Sequence, residues 1–221
     1  MTTPVLDPVW SRELVLTTTV LRSVPYVPEV RLHLAEDVTL LWQRLERELG
    51  RTGTEPPYWS SAWAGGQAVA RYVLDHPEVV AGRRVLDLAS GSGLCAIASV
   101  LAGAEHVTAS DVDEISVSAI GVNAAANGVA VSPVLRDLVD AEPPGVDVVL
   151  AGDVCYERRM AERILGWLRR CRRQGIEVVL GDPGRAFLPK AGLVELGRYE
   201  IAGDPMLENA GVRHARAFAL A

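Results

Sequence analysis

The spacing of apolar residues changes several times along the chain, and each change marks an element. Residues 1–35 show no sustained period and hold prolines at 4, 8, 25 and 28; only Glu29–Leu34 alternates, weakly, as a strand would. Glu36-Asp37 opens a helical pattern through Leu40, Leu41, Leu45 and Leu49 that Gly50 closes. Arg51–Pro57 is a linker of turn residues, and from Tyr58 short apolar runs alternate with helical ones. The periods predict helices over 63–76, 93–102, 114–127 and 158–174, set between strands over 84–89, 106–110, 131–136, 146–151 and 176–181. A short helix near 187–196 follows, then two strands near 198–203 and 212–220 joined by a loop of turn residues. Regular βα alternation means an α/β fold with a mostly parallel sheet, closed here by an antiparallel hairpin. Pro133 lacks the N–H a central strand needs and puts the third strand at an edge. Residues 1–50 read as an N-terminal extension, a strand and a helix that pack on or cap a core domain spanning 51–221.

The chemistry concentrates at the first strand–helix turn, Val85-Leu86-Asp87-Leu88-Ala89-Ser90-Gly91-Ser92-Gly93. Glycines there let a nucleotide-like ligand approach the backbone. Gly91-x-Gly93-x-x-Ala96 also meets the loose dinucleotide pattern, and a ligand-free tight turn would look the same. Asp87 separates the readings. A carboxylate inside the strand repels a pyrophosphate, whereas the amino group and sulfonium of S-adenosylmethionine are both cationic. Three further acids follow strands two to four: Asp111, suited to ribose hydroxyls, Asp137, suited to an adenine amino group, and Asp153. Each alone is more often a loop residue or a helix cap; four at successive strand ends favour a positively charged nucleotide-like cofactor. Asp113 and Glu114 instead read as capping the next helix. Gly65-Gly66 at a helix start permits close backbone approach, and Trp59 and Trp63, four apart, share a face if that helix begins early.

Charge and cysteines narrow the class. Of 221 residues 49% are hydrophobic, enough for a sizeable core, and the net charge of −6 argues against a broad nucleic-acid-binding face. Arginines crowd the 158–174 helix, where a solvated face with favourable charge at the C-terminal end accounts for them. Cys95, Cys155 and Cys171 have neither metal-ligand nor disulfide spacing, so no metal site is expected. No signal or transit pattern opens the sequence and no apolar run is long enough to span a membrane, which makes a cytoplasmic protein the expectation.

These residues resemble the seven-strand, class I S-adenosylmethionine-dependent methyltransferases. Tyr58-Trp59-Ser60-Ser61-Ala62-Trp63-Ala64-Gly65-Gly66-Gln67-Ala68 and Asp153-x-x-Tyr156 narrow the resemblance to the electron-transfer-flavoprotein β-subunit lysine methyltransferases and their bacterial relatives. Val27–Leu34 and Gly181-Asp182-Pro183-Gly184-Arg185 are similar to the same branch. The resemblance implies a strand order 3-2-1-4-5-7-6 with the last strand antiparallel, S-adenosylmethionine as methyl donor, S-adenosylhomocysteine as product and a protein lysine as acceptor. It places Trp63, Gly65, Asp87, Gly91, Ser92, Gly93, Asp111, Val112, Asp137 and Gly152 at the cofactor, and Asp153 with Tyr156 at the acceptor nitrogen. Ala89 departs from a common glycine and Ala64 from a common proline. Fold does not fix the acceptor, so a small-molecule N- or O-methyltransferase is the alternative; an NAD(P)-binding protein or an inactive binding module ranks below it.

Overall fold

The alternation from Tyr58 onward is realised in a computed structural model that describes residues 6–202 and 212–221. The parallel core comprises β3 (Arg84–Leu88), β4 (His106–Asp111), β5 (Ser132–Leu135), β6 (Val148–Gly152) and β7 (Glu177–Asp182). Two longer strands, β8 (Leu193–Ala202) and β9 (Val212–Leu220), complete a seven-stranded sheet of order β5-β4-β3-β6-β7-β9-β8. Counted from β3 this is 3-2-1-4-5-7-6, with β9 antiparallel to both its neighbours. Proline-bearing β5 takes one edge, as Pro133 requires. The loop expected between the last two strands falls at 203–211, outside the described residues.

Alternate residues of each central strand feed two cores. Leu86, Leu88, Val149, Ala151, Val178 and Leu180 meet α6 (Arg158–Arg173) on one face. Val85, Val107, Val148, Leu150 and Val179 meet α3 (Ala64–Asp75), α4 (Leu94–Leu101) and α5 (Glu114–Ala126) on the other. Asp87 shares the second face, so its side chain lies under α4, bonded to that helix.

The N-terminal region departs from expectation. Instead of an irregular stretch with one strand, it forms α1 (Pro8–Thr18), a hairpin of β1 (Val20–Val24) and β2 (Val27–Leu34), and then α2 (Val38–Leu49). Asp7 caps α1 by accepting the Val9 N–H, and Pro8 holds a first-turn position where its missing N–H costs nothing. Those signals were in the sequence; the run Thr17-Thr18-Thr19-Val20 masked them by its β character. Leu14 and Val15 pack with Leu41, Leu45, Trp59 and residues of α5, and the hairpin buries Val24, Val27, Val30 and Leu32 against α3–α5. The helix expected near 187–196 does not form either. Gly192 takes a left-handed φ of +76° and β8 begins at Leu193, because pairing with β9 outweighs the local helical pattern.

Candidate active site

Five adjacent parallel strands each carry an aspartate at or just past the carboxyl end: in sheet order Asp137, Asp111, Asp87, Asp153 and Asp182. Four are those singled out in the sequence, and Asp182 is a fifth. Ligands of open α/β sheets bind outside these strand ends. Around Asp87 the backbone turns sharply: Ala89, Gly91 and Gly93 have φ of +52°, +54° and +84°, and Gly93 opens α4. Asp87 is 2% exposed and accepts both the Ser90 hydroxyl (2.5 Å) and the Ala96 N–H (3.0 Å) through Oδ2. Burial pushes its carboxyl up to about 7, against those two bonds, and the nearby Asp111 charge adds to the rise.

Asp111 ties the glycine turn to the second strand end. Oδ2 accepts the Gly91 N–H (2.8 Å), and Oδ1 accepts those of Val112 (2.8 Å) and Asp113 (3.0 Å). Asp113 caps α5 through Ile115 and Ser116, as its position foretold. Val112 is 68% exposed beside it. Asp137 is exposed; it accepts the Val139 N–H (3.1 Å) and a bond from Arg163 (2.8 Å), so part of the arginine-rich helix is spent on tying down the β5–β6 connection. Asn123, fully buried on α5, joins three elements: its amide donates to the Ser92 carbonyl (2.8 Å) and accepts the His33 N–H of β2 (2.8 Å). Its signal in sequence was a polar residue on an otherwise apolar helix face.

The fourth strand end is tighter. Asp153, 8% exposed, sits at φ +57°, a region that aspartate tolerates better than most residues. Its Oδ2 accepts the Gly66 N–H (2.8 Å), with the Gly65 N–H also bonded to the carboxylate, at the first turn of α3. Its Oδ1 pairs with Arg185 Nη2 (2.9 Å) and Nε (3.3 Å). This approach of α3 depends on glycine: a Cβ at Gly65 would lie 2.5 Å from the Gly181 carbonyl oxygen, and one at Gly152 2.7 Å from Gly66 Cα. Gly65 therefore faces β7 and Asp153, and Gly152 faces α3.

Three aromatic rings border this corner. Tyr58 stands 5.8 Å from Trp63 and 5.2 Å from Tyr156, centroid to centroid, and Tyr156 is 41% exposed rather than packed on the sheet. The Arg185 guanidinium lies 5.8 Å from the centre of the Trp63 ring. Trp59 and Trp63 do not share a helix face. Trp59 belongs to a single 3₁₀ turn and is fully buried among Leu14, Leu45 and Ile115, whereas Trp63 precedes α3 and donates to the Tyr58 carbonyl (2.8 Å). Extended backbone at Ser61 and Trp63 separates the 3₁₀ turn from α3 and breaks the helical phase between them.

Comparison with known proteins gives this arrangement its family. The profile of "Ribosomal protein L11 methyltransferase (PrmA)" matches residues 71–154. The electron transfer flavoprotein beta subunit lysine methyltransferase of Danio rerio is 37% identical over 88% of this chain and 77% of its own length. That of Rattus norvegicus is 38% identical over 88% and 78%. The chain belongs to the electron transfer flavoprotein beta subunit lysine methyltransferase family. It is a methyltransferase, as the residue pattern implied. Its fold is that of the S-adenosylmethionine-dependent enzymes: magnesium protoporphyrin IX methyltransferase from Synechocystis, solved with S-adenosylmethionine bound, superimposes with a TM-score of 0.51 at 16% identity, covering 71% of this chain and 78% of that one.

Within this family member, tertiary structure brings Tyr58, Asp182 and Arg185 together with Trp63, expected at the cofactor, and with Asp153 and Tyr156, expected at the acceptor. Asp182 accepts the N–H groups of Gly184 and Arg185 (both 2.6 Å), which folds Gly181-Asp182-Pro183-Gly184-Arg185 back so that the guanidinium reaches Asp153. The motif itself was visible in the sequence, but its direction was not. Ala89 explains itself by conflict: an exposed alanine at φ +52° holds a left-handed position that glycine takes freely. Ala89→Gly is expected to stabilise the chain by about 0.5 kcal/mol, the relief of strain exceeding the entropy glycine adds to the unfolded state. A urea midpoint at or below wild type would contradict this.

Proposed function

We propose that this chain transfers the methyl group of S-adenosylmethionine to the ε-amine of lysine in a folded protein, the β subunit of an electron transfer flavoprotein being the class of acceptor its relatives are named for. The observation that carries the reading is the adjacency of two differently built strand ends. Asp87 and Asp111 are each bonded into the glycine turn, while Asp153 pairs with Arg185, whose guanidinium lies over Trp63 in the cluster of Trp63, Tyr58 and Tyr156. The donor set fits the cofactor: carboxylates line the crevice, as two cationic centres require, and a Cβ at Gly91 would stand 3.9 Å from Trp59 Cα, in the space between turn and tryptophan. Asp87 with Gly91, Ser92 and Gly93 holds the amino-acid end. Asp111 holds the ribose, using the carboxylate capacity left by its three backbone bonds. Val112 and Asp137 flank the adenine, and Trp63, Gly65 and Gly152 close the side toward α3.

When bound, S-adenosylmethionine supplies an electrophilic methyl carbon, whose S–C bond breaks with its electron pair left on sulfur as the amine lone pair forms the N–C bond. The chain's own task is to present that amine. Asp153 and Tyr156 orient the nitrogen, and the rings of Tyr58, Trp63 and Tyr156 exclude water and accommodate the cationic product. The lysine ammonium gives up one proton to solvent before attack, and the methylated nitrogen leaves as the cationic ammonium product. Exposure of Tyr156 and Val112 at the strand ends goes with a protein acceptor, which needs to reach them from the surface. A cytoplasmic setting without nucleic acid goes with this reading. Arg163, Arg170 and Arg172 of α6 bond to Asp137, Asp140 and backbone carbonyls, which leaves that helix a weak basic face; among the described residues no helix is long and apolar enough to cross a membrane.

Incubation with labelled donor and flavoprotein, followed by mass spectrometry, should show methyl-lysine in the β subunit. Label confined to small molecules would defeat the reading. A second expectation follows from Asp87. Its folded-state carboxyl is raised from 3.8 to about 7, so ligand-free stability falls as pH rises between those values and is flat above them. A cationic donor favours the ionised form and expels the proton. Donor affinity should therefore climb with pH up to about 7 and then level off, a slope absent in Asp87→Asn; calorimetry in buffers of different ionisation enthalpy reads the proton directly.

A further inference from the structure

Both oxygens of Asp153 have partners within the chain. Oδ2 is committed to the N-terminus of α3, and Oδ1 receives the Arg185 fork at 2.9 and 3.3 Å. The guanidinium occupies the same corner as the rings of Trp63, Tyr58 and Tyr156, held there by a loop that Asp182 folds through two N–H bonds. A bare buried carboxylate in that corner would have an undesirable effect. Lysine arrives almost wholly as ammonium, since its unperturbed pKa is about 10.4. An opposite charge in a poorly hydrated site stabilises that form further, and an ammonium has no lone pair with which to attack a methyl carbon. A carboxylate already paired with a guanidinium has no net charge to offer, so burial alone acts on the incoming nitrogen and favours its neutral form.

We propose that Arg185 is a positioning and charge-compensating residue for methyl transfer: by neutralising Asp153 from within, it makes the acceptor corner admit lysine as the free amine. This rests on the lysine-transfer reading above. Asp153 then aligns the amine by accepting a hydrogen bond rather than by trapping an ammonium. The single proton lost before attack goes to solvent from the exposed side of Tyr156, and the chain neither gains nor loses charge.

Other titratable groups surround the pair. They are Asp182 on β7, Glu55 and Tyr58 ahead of α3, Asp111 at the end of β4, Cys95 on α4, and Cys155 with Tyr156 after β6. Arg216 of β9 approaches the loop at Gly184. Burial pushes the thiols and phenols up, Cys155 to about 12, so their protons stay on across the alkaline range in which the acceptor is tested. Burial also raises Asp153 itself, and Arg185 is the main influence opposing it.

The test is the pH dependence of kcat and KM for the acceptor protein, from pH 6.5 to 9.5, in wild type, Arg185→Gln and Arg185→Lys. Methyl-lysine is counted by mass spectrometry, and folding is checked by melting at each pH. In Arg185→Gln the acceptor-side inflection should move up by about one pH unit or more, with kcat about tenfold lower at pH 7.5, mostly restored at pH 9.5, and KM unchanged or lower. Arg185→Lys retains the charge and should keep the wild-type inflection even if its looser geometry lowers kcat. An equal loss at every pH, or an unmoved inflection in folded Arg185→Gln, overturns the inference while leaving lysine transfer intact. A shifted inflection shared by Arg185→Lys also overturns it, since charge would then not be the cause. Absence of methyl-lysine from wild type at all pH values sinks the functional reading instead.

Discussion

Gly181→Ala should destabilise the chain by about 3 kcal/mol or more, the largest stability effect expected from a single added methyl group. The new Cβ would overlap the Gly65 carbonyl oxygen and come within 2.6 Å of Val69 Cγ2 and 2.8 Å of Gly65 C. Two of the three obstacles are backbone, which cannot rotate away. Relief requires the first turn of α3 to lift from the sheet edge, which would also withdraw the Gly66 N–H from Asp153. Added methyls elsewhere provide the control. Gly121 lies within α5 with nothing inside 4 Å of its would-be Cβ. Gly121→Ala should therefore stabilise by about 0.5–1 kcal/mol through helix propensity. Urea denaturation of both variants checks the contrast; similar midpoints for the two would mean that α3 does not seat on glycine as described.

Asp153→Asn should lower methyl transfer by about 100-fold or more while donor affinity stays within a few-fold of wild type. Asparagine keeps an oxygen for the Gly65 and Gly66 N–H groups, so α3 remains capped. What changes is the side toward Arg185: an amide N–H now confronts a guanidinium, and the corner loses both its hydrogen-bond acceptor for the amine and its charge balance. Calorimetry of donor binding beside turnover of labelled donor separates the two consequences. Joint loss of binding and transfer would return Asp153 to the cofactor side of the crevice and remove the acceptor role.

Much of this chain was legible without coordinates, for local reasons. Period-two and period-3.6 patterns are written by neighbours in sequence, so β3–β7, α2 and α3–α6 emerged with their boundaries nearly in place. The acids at four strand ends stood out because each adjoins a run whose identity as a strand was already clear. Pro133 placed β5 at its edge by the lack of one N–H. Where local signals conflicted, the reading failed. The β-branched end of α1 hid a helix that Leu14 and Val15 hold through contacts with α5, a hundred residues away in sequence. The 187–196 segment gave up its helical pattern to pairing with β9.

Sequence by itself determined the layered α/β sheet, the family and the row of acids at the strand ends, because periodicity, glycine turns and charge are properties of short stretches. Only the tertiary structure decided that Gly65 meets Gly181, that Asn123 clasps Ser92 to the N-terminal hairpin, and that Arg185 reaches across to Asp153. Those contacts join segments 31 to 116 residues apart, and no local pattern encodes which distant backbone will arrive or from which side.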